Sequence, residues 1–162
     1  MSGMEIERKF LVLAGRDFKA QACGQSRIRQ GYICSGHGRS VRVRQRGDRA
    51  YLTIKGPSAD GGLSRYEFET EISLDEASHL FGLCEPGIID KTRYLVKCGR
   101  HTFEVDEFYG DNEGLVVAEV ELASADEPFE RPDFIGREVT GDHRYYNSHL
   151  RRFPYRLWRS EE

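Results

Sequence analysis

Between residues 4 and 124 the chain returns again and again to a two-residue period, and in most of these runs one of the two faces is charged. A β-strand points successive side chains to opposite faces, so such a pattern predicts strands with one apolar side and one ionic side. In "MEIERKFLV" (4–12), Ile6, Arg8, Phe10 and Val12 fall on one side, while Glu5, Glu7 and Lys9 fall on the other. The same alternation predicts strands over 40–46, 51–55, 63–72, 91–98, 101–109 and 115–124. "GDRA" joins the second and third runs as a hairpin, Gly56-Pro57 ends the third, and Gly99-Arg100 turns the chain between two later ones. One stretch breaks the period. In "SLDEASHLFG", Ser73 and Glu76 form a capping box and Gly82 supplies a stop, which predicts a short helix. "HRYYNSHLRRF" predicts a second helix of about three turns at ~3.6 residues per turn, and the tail "PYRLWRSEE" is basic and aromatic before it ends acidic. Many short strands with brief connections and few helices predict an antiparallel sheet closed, or nearly closed, into a barrel.

The charges differ from strand to strand. Arg42, Arg44 and Arg46 share a face with Val41 and Val43 opposite, and Lys55 shares one with Thr53 and Tyr51. Arg65, Glu67, Glu69 and Glu71 share a face of mixed sign, and Lys91 and Arg93 are cationic. Glu104 with Asp106, and Glu119 with Glu121, are purely anionic. An amphipathic sheet with its charged side in water accounts for any one of these strands. It accounts poorly for the set, because the signs are segregated and because Arg and Glu replace the Ser, Thr, Gln and Lys of an ordinary solvent face. Arginine suits bidentate contacts to phosphate or carboxylate. Clustered carboxylates repel one another unless a cation sits among them. A polyanion bridged to a divalent cation satisfies both groups, with Glu5 and Glu7 holding the metal and Lys9 a phosphate beside it.

Composition excludes several other classes. The 162 residues suffice for one domain with a core, and 24 Lys and Arg against 27 Asp and Glu give a net charge of −3, no reason to expect bulk nucleic-acid binding. A barrel for single-stranded nucleic acid would place aromatics among the bases, whereas here they sit mostly opposite the charged face. No apolar run approaches the roughly 20 residues of a membrane span, and the charged start does not read as a secretory signal. Cys23, Cys34, Cys84 and Cys98 form no CxxC pair, and His37, His79, His101, His143 and His149 show no metal spacing. Free thiols in a reducing cytoplasm are the expectation.

After "EIERK" (5–9), eight blocks fall in order: "RQGYI" (29–33), "VRVR" (41–44), "TIK" (53–55), "GGLSRYEFE" (61–69), "KTRY" (91–94), "FEVD" (103–106), "EVE" (119–121) and "EVTGDHRYYN" (138–147). The ExExK opening and these blocks together resemble the CYTH superfamily, the triphosphate tunnel metalloenzymes, over about residues 4 to 150 of a single domain spanning 1–162. The resemblance implies an α+β chain whose centre is an eight-stranded antiparallel β-barrel with a few flanking helices and a triphosphate-binding lumen. It implies Glu5, Glu7, Asp106, Glu119 and Glu121 as metal ligands, and Lys9, Arg42, Arg44, Lys55, Lys91 and Arg93 as phosphate ligands. Arg65 and Glu67 match tunnel positions, Arg65 on the phosphate side. Glu5, Glu7, Lys9 and Lys91 are the residues expected to take part in the reaction. The form most resembles the bacterial inorganic tripolyphosphatases, which implies metal-dependent hydrolysis of a triphosphate phosphoanhydride with Mg2+, or Mn2+, as cofactor. Thiamine triphosphatase, nucleoside triphosphatase, a class IV-type adenylate cyclase and a non-catalytic polyphosphate- or nucleotide-binding module are the alternatives. The expected partner is a small-molecule triphosphate, with neither nucleic acid nor membrane, in a monomer or homodimer. Tyr145, Tyr146 and the aromatic tail are expected to pack on the barrel.

Overall fold

Alternation along the chain becomes a ring of strands. The computed structural model describes residues 3–159, and the acidic end of the tail, 160–162, lies outside them. Nine strands form, β1 (Gly3–Val12), β2 (Gly24–Gly36), β3 (Arg39–Arg46), β4 (Arg49–Lys55), β5 (Ser64–Ile72), β6 (Ile89–Cys98), β7 (His101–Phe108), β8 (Val116–Leu122) and β9 (Ile135–Glu138). They hydrogen-bond in the order β5-β4-β3-β2-β6-β7-β8-β1, and a further β5–β1 pairing closes these eight into a barrel, with β9 branching from β1. Every pairing is antiparallel. Closure removes the exposed edges that an open sheet would leave.

Two strands have no counterpart in the two-residue pattern. In β2, Gln30, Gly31 and Tyr32 are buried in succession and the register shifts between Tyr32 and Cys34. The lumen covers one face, and the other meets Cys84 and Ile88 so closely that a Cβ on Gly31 would lie 2.7 Å from the Cys84 sulfur. Covered on both faces at this point, β2 loses its alternation there, while Gln25, Arg27, Arg29 and Cys34 to either side stay exposed. β9 is only four residues long and pairs with the far end of β1.

Charged side chains fill the inside of the ring, so the apolar core lies outside it, in three clusters. Phe10, Phe103, Val105, Val120 and Tyr94 are covered by Phe18 of α1 (Phe18–Gln21) and by Phe134. Val43 and Ala50 are covered by Ala77 of α2 (Leu74–Phe81). The capping box of that helix is complete: the Ser73 hydroxyl accepts from the Glu76 N–H, and the Glu76 carboxylate accepts from the Ser73 N–H. Gly82 is its C-cap but stays right-handed, at φ −66°. The third cluster closes one end of the barrel, where Tyr145, Leu150 and Trp158 pack on Ile89, Phe108 and Val139. On the outer face of β1, β4 and β5, Met4, Ile54, Tyr66 and Phe68 stay exposed, so the apolar side of these strands faces outward without full cover.

The three-turn helix expected from 143 onward does not form. A 3-10 turn (His143–Tyr145) and a single-turn helix, α3 (Asn147–Leu150), replace it, because Tyr146 between them is extended at φ −73°, ψ 135°. The break sends neighbouring side chains to different places. Tyr145 enters the core, while the Tyr146 ring lies over Lys9 and Arg65. Glycine makes this possible: Gly62 (φ +93°) and Gly141 (φ +80°) touch, and a Cβ on Gly62 would stand 2.4 Å from the Gly141 Cα.

Candidate active site in the barrel lumen

Each strand lends the lumen alternate residues, and the order of strands sorts them by charge. The central cavity of about 190 Å³ is lined by the carboxylates Glu5, Glu7, Glu67, Glu69, Glu104, Glu119 and Glu121. All of them come from the consecutive half-ring β7-β8-β1-β5. The other half-ring, β6-β2-β3-β4, lends Arg93, Arg42, Arg44, Arg46 and Lys55 and no carboxylate. With Lys9 and Arg65 the lining cations number seven against seven carboxylates, so the cavity is formally neutral although its two sides are opposite in sign.

On the carboxylate side, cross-strand register sets like charges against each other. Glu7 of β1 stands opposite Glu121 of β8, and Glu119 stands opposite Glu104 of β7. Burial, then the neighbouring Glu119, push the Glu7 carboxyl up to about 8, so it keeps its proton at neutral pH. Burial also opposes charge on Glu119, but Lys9 and Arg93 hold it well below the usual carboxylate range, and the Glu7 side chain hydrogen-bonds to it. The two carboxyls share one proton. Burial, with Glu5, Glu104 and Glu67, pushes Glu121 upward as well. Lysines partly neutralise the group: Lys55 Nζ donates to Glu5 at 3.0 Å and lies 3.3 Å from Glu67, and Lys9 Nζ lies 3.4 Å from Glu119.

Deeper in, Arg93 donates two bonds to Asp106, Nε to Oδ1 at 2.8 Å and Nη2 to Oδ2 at 2.9 Å. Lys91, fully buried, reaches Asp106 Oδ2 at 2.8 Å and donates to Asn147 Oδ1 at 3.2 Å. Burial opposes ionisation of Asp106, yet Arg93 and Lys91 overcome it and hold the carboxyl at about 2. Lys91 bears the consequence. Burial lowers it to about 7, and Arg93 and Arg44 add to the effect against the opposing pull of Asp106. It is the cation of this group best able to give up a proton near neutral pH.

The cationic side is less satisfied. Arg44 Nε donates to Gln30 at 3.1 Å, and burial, then Arg42 and Arg93, press it down to about 9, so it stays charged at neutral pH. Arg42 is only 6% exposed, and its Nε is buried without any hydrogen-bond partner. A buried guanidinium without an acceptor is rare unless an anion is due there.

The lumen thus brings together Glu5, Glu7, Lys9, Arg42, Arg44, Lys55, Arg65, Arg93, Glu119 and Glu121, while Lys91 and Asp106 form the buried pair beneath. Tyr32, Tyr146, Asn147 and Ser148 also line it. Alternation did not single them out: Tyr32 lies in the part of β2 that is covered on both faces, and the last three lie on the segment that plugs the barrel end. Tyr146 therefore serves the lumen rather than the outer wall, while Tyr145 and Trp158 pack as expected. Glu69 and Glu104 lie on charged faces that the alternation does show, outside the set drawn from the resemblance.

Comparison with known proteins agrees with this arrangement. The CYTH domain model matches residues 3–153. The chain belongs to the CYTH family. An inorganic triphosphatase of Acetivibrio thermocellus is 50% identical over 155 residues, covering 95% of this chain and 97% of that one. An inorganic triphosphatase of Nitrosomonas europaea is 38% identical over 150 residues, covering 90% and 95%. A solved structure of an inorganic triphosphatase superposes with a TM-score of 0.63 at 34% identity, over 90% of this chain and 93% of that one. No helix among the described residues of this CYTH protein is long and apolar enough to cross a membrane.

The donor set of this CYTH barrel can be weighed against a divalent cation. Among the described residues no three carboxylate, imidazole or thiol groups form a closed cage. Magnesium does not ask for one, since it keeps several waters and binds through one or two carboxylates plus substrate phosphates. A proton already shared between Glu7 and Glu119 marks a place where positive charge is wanted. The residues fit the ion.

Proposed function

We propose that this chain hydrolyses a phosphoanhydride bond of inorganic tripolyphosphate with Mg2+ as the working cation and Mn2+ as its substitute. One observation carries the reading: all seven lining carboxylates stand on one half-ring and five of the seven lining cations on the other, facing one another across one closed lumen. A bare polyanion gains little from a cavity that is neutral overall. A polyanion carrying its own divalent cation matches both sides, its phosphates toward the arginines and its cation toward the glutamates.

Glu5, Glu7, Glu119 and Glu121 would hold the cation. The carboxylate of Asp106 is taken up by Arg93 and Lys91, so it joins that set only as those two turn toward phosphate. The bound ion supplies charge neutralisation on phosphate oxygens and activation of water. Arg42, with its unpartnered Nε, and Arg44 bind phosphate oxygens, and Arg93, Lys55, Lys9 and Arg65 neutralise charge as it shifts along the chain. Lys91, poised near 7 but buried beneath the lumen, would donate a proton to the departing phosphate oxygen only on turning from Asp106 and Asn147 into the cavity. Glu5, Glu7 and Lys9 line the cavity where the reacting groups would sit, and Lys91 joins them in that turned position. The chain works as one domain in the cytoplasm, a placement supported by its four free cysteines.

The test is phosphate release from tripolyphosphate, thiamine triphosphate and ATP with Mg2+, Mn2+ or Ca2+. Tripolyphosphate with Mg2+ should be turned over fastest, and chelation should abolish release. Faster turnover of ATP, or turnover that survives chelation, would overturn the assignment.

A further inference from the structure

A second cavity of about 350 Å³ lies next to the central one and shares Ser40, Arg65, Tyr146 and Ser148 with it as lining. Its chemistry differs. Arg39, Arg65, His143, His149 and Arg152 line it, and among the described residues no carboxylate does. Arg39 is exposed and makes no hydrogen bond or ion pair with any described residue. Two of the five are drawn toward a neighbouring carboxylate: Arg152 lies 3.5 Å from Glu85, with its Nη2 also donating to the Ser35 carbonyl, and Arg65 Nε lies 3.9 Å from Glu5. The rings are held in place from behind, His143 stacked on Tyr146 and His149 on Phe153, each at 4.9 Å between centroids.

The missing carboxylates decide what such a cavity holds. The central lumen sets as many carboxylates as cations and so favours a phosphate that arrives with its metal. The outer cavity carries three arginines, Arg39, Arg65 and Arg152, and two imidazoles that can donate hydrogen bonds, and so attracts a phosphoryl group that brings no metal. Resting on the tripolyphosphate reading above, we infer that the outer cavity is a second, metal-independent phosphate subsite beside the first. Its occupant is either the fourth phosphate of a longer linear chain or an orthophosphate released from the lumen.

Arg39→Ala tests this without touching the catalytic lumen, because the side chain is exposed and free of contacts that fold the protein. One arm compares hydrolysis of tripolyphosphate and tetrapolyphosphate with Mg2+. A fourth phosphate in the subsite requires the variant to raise KM for tetrapolyphosphate roughly three- to tenfold, the weakening expected when an exposed charged contact is lost, with KM for tripolyphosphate unchanged. The other arm titrates orthophosphate in EDTA by calorimetry. An orthophosphate occupant requires wild-type binding without metal that the variant weakens by a similar factor, whatever the chain length does. Identical behaviour of wild type and variant in both arms, or an equal KM rise for both substrates, overturns the subsite. If the wild-type protein hydrolyses neither substrate with metal, the tripolyphosphate reading itself falls, a result distinct from either of these.

Discussion

Glu7→Gln removes a carboxyl that the fold keeps protonated, and two effects of opposite sign should follow. An unfolded Glu titrates near 4.5, whereas the buried Glu7 carboxyl is held up to about 8. Between those values the unfolded chain is ionised and the folded one is not, so folding takes up a proton and loses about 1.4 kcal/mol for each pH interval of one. The sign is fixed: a raised value gives stability that is full below 4.5 and is lost as pH climbs toward 8. By pH 7 the loss is about 3 kcal/mol. Glutamine is neutral in both states, and its amide can donate to Glu119 where the protonated carboxyl did. In EDTA the variant should therefore melt above the wild type at pH 7, by roughly 6–12 °C at about 2–4 °C per kcal/mol for a chain of this size. At pH 4.5 the two should melt together. With Mg2+ and tripolyphosphate near saturation the order should reverse, since a ligand at ~1,000 times its Kd adds about 4.1 kcal/mol to the wild type and the variant has lost a metal charge. Turnover should vanish in the variant. Differential scanning fluorimetry across pH 4.5–9, with and without metal and substrate, reads the stability arm. A variant that melts at or below wild type in EDTA at pH 8 would refute the shared proton. Wild-type turnover in Glu7→Gln would refute the metal role.

Arg44→Ala should raise KM for tripolyphosphate roughly 10- to 150-fold, for a lost charged contact of about 1.5–3 kcal/mol, and should leave the ligand-free protein no less stable, because burial and two neighbouring guanidiniums already oppose its charge; unchanged kinetics would place it outside the site. Ser73→Ala should cost about 1 kcal/mol by breaking the capping box, lowering the melting temperature by about 2–4 °C with kcat untouched. Gly62→Ala should destabilise more, since the new methyl would meet Gly141 at 2.4 Å, and its kcat should fall as Tyr146 is pushed from Lys9; a folded, fully active variant would show that the close approach does not seat the ring.

Local chemistry is where the sequence was most legible. Period-two alternation located seven of the nine strands, since a strand with one ionic and one apolar face announces both its period and its sides. The capping box announced α2 in the same way. β2 was hidden because its alternation, with Arg27 and Arg29 exposed about the buried Ile28, fails over residues 30–32, where both faces are covered, and the helix expected after residue 143 was broken by Tyr146, whose place is set by partners more than 70 residues away in the chain. The types of charge were equally legible, Arg42 and Arg44 on one strand and Glu119 and Glu121 on another. What the sequence could not say is which strand lies beside which. The β5–β1 pairing closes the ring between elements some 60 residues apart, and it alone sets Glu67 and Glu69 beside Glu5 and Glu7, completing an anionic half-ring opposite the arginines. Alternation is a property of one backbone, so the sequence determined which side chains are charged and which face they share. Electrostatic balance, the proton shared by Glu7 and Glu119, and the choice of Lys91 over Arg93 as the weaker base depend on distances across the lumen, and only the closed barrel decided those.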